Sequence, residues 1–534
     1  MSRRLYDLLT AQAEKRPDVT AVVMNGARLT YRDLADASDR LARALIEAGC
    51  REGDRVCLFV PKSPEAIIGM LGAMKAGASY VPIDTASPAK RVARIVATCE
   101  PAVVLATEPG MPLLREVLAI EGIRRPAAIG RIDRPAPPGA RPEADFTWAE
   151  IEHLSGSPLP RRGAASDAAH ILFTSGSTGQ PKGVVVNHAS VLAFVDWANR
   201  YFDMRAGDRT SGHSPFHFDL STFDIYGTLA VGAELHLVPP EFNLLPHKLA
   251  ELIRTQALTQ WFSVPSALAY MAKFDVVAQG DFPHLKRLLW CGEVLPTPVL
   301  IHWMKRLPHV TFTNLYGPTE AAIASSHYTL PRCPTDERAP IPIGTACDGE
   351  ELLVLDEARN PLPRGEIGHL YIRGAGLSPG YFRDPEKTRE AFFAVSPATP
   401  GDRIYRTGDL ARVGDDGLVY FIGRADTQIK SRGYRIELGE VEAAAHALPS
   451  LKECAVVATR TSDFDGDVIC CAYVPADGVT VTVARLRREL SELLPAFMLP
   501  ARWLCFDALP KNQNGKIDRR ALKERFDERE ASSV

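Results

Sequence analysis

The distribution of apolar and polar residues along the chain predicts a layered α/β architecture for its first part. Between residues 30 and 125, amphipathic helical stretches such as YRDLADASDRLARALIEAG alternate with short apolar runs such as RVCLFV and AVVLAT. The same alternation returns over residues 168–330. Helices that alternate regularly with short apolar strands are typical of a layered α/β fold. We therefore predict α/β subdomains in these two ranges.

The pattern changes in the last third of the chain. Over residues 350–424, short apolar runs are separated by Gly turns, as in GEIGHLYIRGAGLSPGY, which predicts a β-rich subdomain. After Arg424, a charged segment precedes amphipathic helical stretches and the apolar strands CAVVAT and VICCAYV, a pattern that favours a compact α+β domain. We predict a large N-terminal domain over residues 1–424 and a small, mobile C-terminal domain over residues 425–534.

Composition restricts the possible classes of function. The net charge of −3 gives no reason to expect a nucleic-acid partner. No stretch approaches the roughly 18 consecutive apolar residues of a membrane span, and the first residues, MSRRLYDLLTAQAEKRPD, do not resemble an export signal. The 10 cysteines are scattered without a CxxC pair, which favours reduced core residues. We expect a cytoplasmic protein without a membrane partner.

The segment 174–183, TSGSTGQPKG, is the strongest local sign of chemistry. It holds three Gly and four hydroxyl residues, together with Lys182, between the apolar runs HILF and VVVNH. Backbone amides and hydroxyls in such a loop can surround phosphate oxygens. A P-loop needs GxxxxGK[ST], whereas here Gly179 is followed by Gln180 and Pro181. We predict a phosphate-binding loop of a different kind.

Eight separated motifs follow one another along nearly the whole chain. They are KAGASYVPID, TSGSTGQPKG, FHFDLS, NLYGPTE, GYFRDPEKT, YRTGDL, GRADTQIKSRGYRIELGEVE and NQNGKID. In this order they resemble the adenylate-forming enzymes, and within them the amino-acid adenylation domains of nonribosomal peptide synthetases. The resemblance implies that a carboxylate attacks the α-phosphorus of ATP, releasing pyrophosphate, and that a thiol then captures the acyl-adenylate. It implies ATP and Mg²⁺ as cofactors, because charge accumulates on phosphate oxygens in the first step.

The resemblance also assigns residues to the nucleotide. In NLYGPTE it places Asn314 near the exocyclic amine of adenine, Tyr316 against the ring, Thr319 on the α-phosphate as a catalytic residue, and Glu320 on magnesium. Asp409 resembles the carboxylate that binds both ribose hydroxyls, and Arg424 resembles its partner. The phosphate loop contributes Thr174, Ser175, Gly176, Ser177, Thr178 and Gly179, with Lys182 as a catalytic cation. ATP is therefore expected to lie mainly on the large domain.

The small domain is expected to supply catalysis and motion. Lys516 of NQNGKID resembles the lysine that bridges the substrate carboxylate and the phosphate oxygens, a task that suits a long flexible cation. Asp426 resembles the hinge about which the small domain rotates between adenylation and thiolation. Lys430 is a second hinge candidate, with an ordinary turn residue as the alternative. Hinges are usually a few residues at the ends of elements.

FHFDLS indicates the class of carboxylate. Asp219 matches the carboxylate that amino-acid-activating members pair with the substrate α-ammonium. An enzyme that binds an acyl chain has no use for a buried anion there, since an unpaired buried charge is costly. The segment RGYRIELGEVE also resembles the synthetase branch more than the acyl-CoA ligases. An α-amino acid is therefore favoured.

The pocket positions of the resembled family predict the substrate side chain. In this chain they are Asp219, Leu220, Phe223, Phe262, Leu289, Cys291, Leu315, Ile323 and Ala324, with Lys516 closing the set. Apart from the two charges, the lining offers no strong hydrogen-bonding group and is bulky, which favours proline, valine or alanine. The set resembles that of freestanding prolyl-adenylating enzymes, from which it departs at Cys291 and Ala324. L-proline is the favoured substrate.

The acceptor thiol is expected on another protein. Few residues follow Lys516, so we expect a separate phosphopantetheinylated peptidyl carrier protein. A coenzyme A ligase for a small carboxylic acid is one alternative, which Asp219 disfavours. A non-catalytic nucleotide-binding regulator on the same fold is another, which Lys516, Glu320 and the TSGSTG motif disfavour.

Overall fold

A computed structural model describes residues 3–134, 143–176, 180–395, 401–460, 467–511 and 517–531. Within this part of the chain, helices and strands are numbered in chain order. The helices are α1 (Leu5–Lys15), α2 (Tyr31–Glu47), α3 (Pro64–Lys75), α4 (Ala89–Cys99), α5 (Met111–Leu118), α6 (Trp148–Ile151), α7 (His188–Tyr201), α8 (Leu220–Val231), α9 (Pro246–Thr255), α10 (Pro265–Lys273), α11 (Thr297–Arg306), α12 (Pro385–Ala391), α13 (Leu438–His446), α14 (Val483–Ser491) and α15 (Arg519–Ala531).

Two large sheets organise the large domain. The nine-stranded sheet has the order β16 (Thr345–Ala346), β15 (Ser326–Thr329), β14 (Thr311–Tyr316), β13 (Arg287–Cys291), β12 (Gln260–Ser263), β10 (Arg209–Gly212), β11 (Glu234–Leu237), β1 (Thr20–Met24) and β2 (Ala27–Thr30). The eight-stranded sheet has the order β19 (Gly380–Tyr381), β9 (Lys182–Asn187), β8 (Ala168–Thr174), β4 (Ser79–Pro82), β3 (Arg55–Phe59), β5 (Val103–Ala106), β6 (Ala128–Arg131) and β7 (Phe146–Thr147).

The parallel strands position the candidate site. Strands β10, β12, β13 and β14 pair in parallel, so their carboxyl ends lie at one edge of the nine-stranded sheet. Ligands of open α/β sheets bind beyond this edge. The segments that carry Asp219, Cys291 and Tyr316 all leave the sheet there.

The smaller sheets lie in the last third of the chain. One is formed by β17 (Glu350–Leu355), β18 (Gly368–Gly374), β21 (Arg403–Val413) and β20 (Phe392–Ala394), with β22 (Val419–Arg424) paired to β21. It is followed by a hairpin of β23 (Gln428–Ser431) and β24 (Tyr434–Glu437), and by a sheet of β25 (Leu451–Arg460), β26 (Asp467–Pro475) and β27 (Arg502–Cys505). The predicted large α/β domain with a β-rich subdomain and a small α+β C-terminal domain is confirmed.

Local sequence explains individual elements. Helix α2 begins with a capping box in which Thr30 accepts from the Asp33 amide, and α3 begins with Ser63 as N-cap followed by Pro64. The strands β4, β5 and β13 are buried throughout, as expected for parallel strands covered on both faces. Hydrophobic sequence and local caps therefore agree with the fold.

Two predictions from composition concern the burial of the cysteines and the absence of a membrane span. Most cysteines are buried, but Cys333 is half-buried and Cys505 is exposed, so the expectation of core residues is wrong for these two. Among the described helices, none combines the length and the apolar character needed to cross a membrane.

Candidate active site

A chamber lies between the large domain and the segments after Arg424, and residues from both sides border it. The predicted site residues that border it are Thr174, Ser175, Asp219, Leu220, Thr319, Asp409, Arg424 and Lys430. Residues that were not predicted also border it, among them Gln428, Tyr434, Arg435 and Phe497. The structure thus brings together side chains that are distributed over most of the sequence.

Glu320 lies in a group of donors that we call the polar centre, formed by Lys182, Glu320, Tyr381 and Arg435. The Glu320 carboxylate is fully buried and accepts from Lys182 Nζ at 3.2 Å and from the Tyr381 hydroxyl at 2.8 Å. Arg435 Nη1 donates to both carboxylate oxygens, at 3.0 and 2.8 Å. Burial alone would raise the pKa of Glu320, but the charges of Arg435 and Lys182 lower it well below its usual value. The carboxylate is therefore ionised and fully paired.

The hydrogen bonds of the polar centre occupy Glu320, the predicted magnesium ligand. A carboxylate is the hard oxygen ligand that Mg²⁺ prefers, so Glu320 fits the ion chemically. Here both of its oxygens are engaged by Arg435, a residue of β24. In the described part of the chain, no group of three or more His, Cys, Asp or Glu side chains is arranged to hold a metal. A magnesium ion on Glu320 would thus need Arg435 to withdraw and would take further ligands from water and phosphate.

Asp409 and Arg424 form the second charged feature of the chamber. They are paired across neighbouring strands β21 and β22, and Arg424 Nη1 lies 2.5 Å from Asp409 Oδ1. The other carboxylate oxygen accepts from the Tyr316 hydroxyl. Burial and the charge of Asp409 raise the pKa of Tyr316, so this phenol stays protonated. The predicted ribose carboxylate is held in one orientation by two donors.

The predicted phosphate loop connects two antiparallel strands. Thr174 ends β8 and Lys182 begins β9, so no helix follows the loop directly, in contrast to a P-loop. The Ser175 hydroxyl donates to the carbonyl of Arg435 at 2.7 Å, and the Thr174 hydroxyl is buried without a hydrogen-bond partner among the described residues. The Gly176 amide donates to Glu440 at 3.3 Å. Ser177, Thr178 and Gly179 lie outside the described residues.

Asp219 precedes the first residue of α8 and borders the chamber. Burial raises the pKa of its carboxyl to about 6, although a hydrogen bond from Thr319 and the charge of Lys430 act in the opposite direction. Among the described residues, no ion pair neutralises it, in contrast to Glu320. It is therefore a carboxylate available to a cationic group.

The other predicted substrate residues pack against one another. We call seven of them the apolar pocket; they are Phe223, Phe262, Leu289, Cys291, Leu315, Ile323 and Ala324, all buried in one hydrophobic cluster together with Leu220. The register pairs Phe262 with Leu289 and Cys291 with Leu315 on adjacent strands. The rings of Phe223 and Phe262 meet edge to face, with centroids 5.9 Å apart. Of the predicted substrate residues that the structure describes, Asp219 and Leu220 alone border the chamber.

The predicted hinge residues lie beside the chamber. Asp426 accepts from Arg424 Nε at 2.9 Å, and Lys430 Nζ lies 5.8 Å from the centroid of the Tyr316 ring. Lys430 therefore faces the predicted adenine site and not open solvent. Asn314 donates to the carbonyl of Pro342 at 2.9 Å and does not border the chamber. Lys516 lies outside the described residues.

The β23–β24 hairpin docks on the large domain through its turn. Gly433 has φ +81° and its amide donates to Glu293 at 2.7 Å. A Cβ on Gly433 would lie 2.7 Å from Val264 Cγ1, so only glycine fits this contact. Tyr434 stacks on Phe497, with centroids 3.6 Å apart. The docked hairpin closes one side of the chamber.

Sequence reasoning missed several of these residues. Tyr381 and Arg435 lie inside motifs that carry the family resemblance, GYFRDPEKT and RGYRIELGEVE, but neither was given a role. A Tyr and an Arg within motifs of a phosphate-transferring enzyme are a usable signal. Phe497 and Glu293 lie in no motif, so only the fold reveals them.

Comparisons with known proteins define the family. Residues 9–382 match the model of the AMP-binding enzyme family, and residues 440–516 match the AMP-binding enzyme C-terminal domain. The chain therefore belongs to the AMP-binding enzymes. It is an adenylate-forming ligase of the type found in nonribosomal peptide synthetases.

Individual relatives agree with this class. Bacitracin synthase 1 of Bacillus licheniformis is 36% identical over 523 residues, which are 97% of this chain and 9% of that synthase. The dimodular nonribosomal peptide synthase of Bacillus subtilis is 35% identical over 518 residues, 96% of this chain and 21% of its own length. The chain thus spans a small part of these relatives. The adenylation domain AlmE of Vibrio cholerae, solved with glycyl-adenosine-5'-phosphate, has the same fold, with a TM-score of 0.84, 23% identity and coverage of 99% and 98% of the two chains.

Proposed function

We propose that this enzyme activates a small apolar amino acid with ATP and transfers it to the phosphopantetheine thiol of a peptidyl carrier protein. The observation that carries the proposal is the position of Asp219. This carboxylate is buried, borders the same chamber as Asp409 and Arg424, and lies next to the apolar pocket. A site with a buried carboxylate that no cation of the described ranges pairs with, an apolar cluster beside it and a nucleotide-binding side suits an amino acid and ATP together.

In the first step, a carboxylate oxygen of the amino acid attacks the α-phosphorus of ATP, and the bond to pyrophosphate breaks. We assign the adenosine to Asn314, Tyr316, Asp409 and Arg424. We assign the phosphates to residues 174–179, Lys182 and Thr319, with Lys516 bridging the substrate carboxylate and the phosphate. Donors aimed at oxygens that gain charge lower the barrier because they need no rearrangement during the reaction.

Magnesium fits this scheme at Glu320. When bound, the ion would neutralise charge on the phosphate oxygens. Mg²⁺ could bind Glu320 only after Arg435 has left this carboxylate. Lys182 and Tyr381 belong to the large domain, so their hydrogen bonds to Glu320 can persist. We propose that the hairpin moves during the catalytic cycle and carries Arg435 away from Glu320. We place the domain boundary at 424/425 and propose Asp426 and Lys430 as hinge residues.

In the second step, the carrier thiolate attacks the carbonyl carbon of the adenylate, a thioester forms and AMP leaves. The docked hairpin keeps the chamber closed on the phosphate side, where Ser175 and Arg435 are in contact. A carrier domain was joined artificially to a related adenylation enzyme in NpsA–ThdA of Klebsiella oxytoca, which is 24% identical with a TM-score of 0.78 over 94% of this chain and 93% of that one. We propose a peptidyl carrier on a separate protein as the acceptor.

L-proline is the substrate that we favour. The apolar pocket has no polar side chain apart from the Cys291 thiol, and burial raises the pKa of that thiol to about 12, so it stays neutral. Two phenylalanines occupy much of its volume, which limits the size of the substrate side chain. A pyrrolidine ring is compact, and its secondary ammonium still has two N–H donors for Asp219 and a neighbouring carbonyl.

Amino-acid-dependent ATP–pyrophosphate exchange across all proteinogenic amino acids tests the proposal. We expect proline to give the highest kcat/KM, with weaker exchange for valine and alanine and little for Phe, Lys or Glu. A panel led severalfold by valine or alanine contradicts proline but keeps the adenylation mechanism. Exchange that needs no amino acid, or that prefers a desamino acid, contradicts amino-acid activation and favours a coenzyme A ligase.

A further inference from the structure

Lys62 is a buried cation that none of the roles above uses. It lies between β3 and α3, on the side of the eight-stranded sheet, and its side chain is buried. Its ammonium donates to the carbonyl of Gly212 at 3.0 Å and also to the carbonyl of His213. Both carbonyls lie at the carboxyl end of β10, in the other large sheet. Lys62 thus links the two large sheets at the carboxyl end of β10.

A second buried charge lies beside it. Asp224 on α8 is buried, and its carboxylate oxygens have no hydrogen-bond partner within the described ranges. Burial raises the pKa of Asp224 well above its usual value, and the charge of Lys62 acts in the opposite direction. Burial in turn lowers the pKa of Lys62 to about 7, against the influence of Asp224. The charges of Lys62 and Asp224 therefore influence each other's pKa in a buried region.

The segment held by Lys62 leads directly to Asp219. From His213, whose ring packs on Trp261 with centroids 5.1 Å apart, the chain runs through residues 214–218 to Asp219. The Phe218 amide donates to the carbonyl of Pro215 at 3.0 Å, which closes a turn. The Ser221 hydroxyl then donates to the carbonyl of Phe218 at 2.6 Å. Contacts at both ends therefore restrict the loop that carries the carboxylate.

We propose that Lys62, together with Asp224, is a positioning residue for recognition of the substrate ammonium. The proposal rests on the proposed function, in which Asp219 binds that ammonium. Lys62 holds the start of the 213–219 loop, and Asp224 belongs to the helix that begins at its end. Lys62 thus holds one end of the loop by hydrogen bonds, and its charge acts on Asp224 in the helix at the other end. The nucleotide residues lie on other segments, so the effect should be confined to the amino acid.

The test compares Lys62→Met with Lys75→Met. Lys75 is a matched control, because it is another buried lysine of the same region, and its ammonium donates to Asp39 at 2.8 Å and to the carbonyl of Ala35 at 3.1 Å, outside the 213–219 loop. KM is measured for ATP and for the amino acid with the highest exchange in the wild-type panel. We expect Lys62→Met to raise the amino-acid KM about tenfold or more, the scale on which small misplacements are felt, and to leave the ATP KM within about twofold. Lys75→Met should change neither KM selectively.

A desamino analogue separates positioning from general damage. It has no ammonium, so Lys62→Met should reduce its kcat/KM no more than Lys75→Met does. The double variant Lys62→Met/Asp224→Asn removes both buried charges and covers the case in which the single variant does not fold; it should show the same selective rise in amino-acid KM. Equal losses for the amino acid, the analogue and ATP overturn the positioning role, as does a double variant with wild-type amino-acid KM. A wild-type enzyme without amino-acid-dependent exchange overturns the proposed function instead.

Discussion

Glu320 in the polar centre and Asp219 beside the apolar pocket are both buried carboxylates, but their surroundings shift their pKa values in opposite directions. At the polar centre, Glu320 is surrounded by Lys182, Tyr381 and Arg435, and its pKa is lowered despite complete burial. Beside the apolar pocket, Asp219 has no ion-pair partner in the part of the chain that the structure describes, and burial raises the pKa of its carboxyl to about 6. The first carboxylate is neutralised by the protein. The second is the one that we propose a substrate ammonium neutralises.

The two regions also differ in which parts of the chain build them. The apolar pocket comes from α8, β12, β13, β14 and the segment that follows β14, all in the large domain. The polar centre is completed by Arg435 of the hairpin. Recognition of the amino-acid side chain should therefore depend little on the position of the small domain, whereas binding of magnesium and phosphates should depend on it strongly. Five predictions test this contrast, from the largest expected effect to the smallest.

Lys516→Ala should block the adenylation step and spare the thiolation step. We expect ATP–pyrophosphate exchange to fall by more than about a thousandfold, because the lysine stabilises charge that develops on the phosphate, while ATP binding is mostly kept. Carrier aminoacylation from chemically supplied aminoacyl-adenylate should persist. An equally severe block of that second step would show that the assigned role is wrong.

Asp219→Ala should affect only the amino-acid side. We expect a loss of about 3–5 kcal/mol in kcat/KM for the amino acid, the scale for removing one partner of a buried charge pair. The desamino analogue should lose much less, and the KM for ATP should stay near its wild-type value. If amino acid and analogue lose equally, Asp219 supports the fold and does not bind the ammonium.

Phe262→Ala should enlarge the apolar pocket. We expect the preference to shift toward bulkier apolar amino acids by about 1–3 kcal/mol, since discrimination by methylene groups is graded. Phe312→Ala is the matched control, because Phe312 is equally buried on the same sheet but belongs to a different hydrophobic cluster. Both variants should lose stability, and only Phe262→Ala should change the ranking in the exchange panel. An unchanged ranking would place the substrate side chain elsewhere.

Amino-acid recognition should weaken in acid before the nucleotide site does. Because burial raises the pKa of Asp219 to about 6, its carboxylate becomes protonated as the pH falls through 6 and can no longer pair with an ammonium. We expect kcat/KM for the amino acid to be level above this pH and to fall by about tenfold per pH unit below it. Asp219→Asn should remove this inflection. A profile that keeps the inflection in Asp219→Asn would assign it to another group.

Arg435→Gln should free Glu320 on the large domain. We expect Mg²⁺–ATP to bind several-fold more tightly by calorimetry, because the guanidinium no longer competes for the carboxylate. Arg485→Gln is a control in the small domain, since Arg485 forms a surface pair with Glu489 at 2.7 Å and should leave affinity unchanged. Weaker Mg²⁺–ATP binding in Arg435→Gln would mean that Arg435 supports the nucleotide site and does not block it.

The motifs predicted much of the candidate site because each places its residues locally. Asp409 and Arg424 lie in two motifs on adjacent strands, so a short connection brings them together. The order of apolar runs predicted the α/β layers, because buried strands and buried helix faces have apolar residues at characteristic spacings in the sequence. The expectation of a core residue is wrong for Cys505, which is exposed, because packing around a residue decides its burial. Asn314, which stays a predicted adenine residue, donates its amide to the carbonyl of Pro342 and does not border the chamber.

The sequence by itself determined the fold class, the adenylate-forming chemistry and the identity of the motif residues. The tertiary structure alone decided which groups pair. Arg435 and Glu320 are 115 residues apart in the chain, and Lys62 and Gly212 are 150 apart, yet each pair is in hydrogen-bond contact. No local pattern encodes such contacts, because they depend on how separate sheets and domains pack. The same packing buries both Glu320 and Asp219, but it places the charges of Arg435 and Lys182 beside Glu320 alone among the two, which is why the pKa of Glu320 is lowered while burial raises that of Asp219.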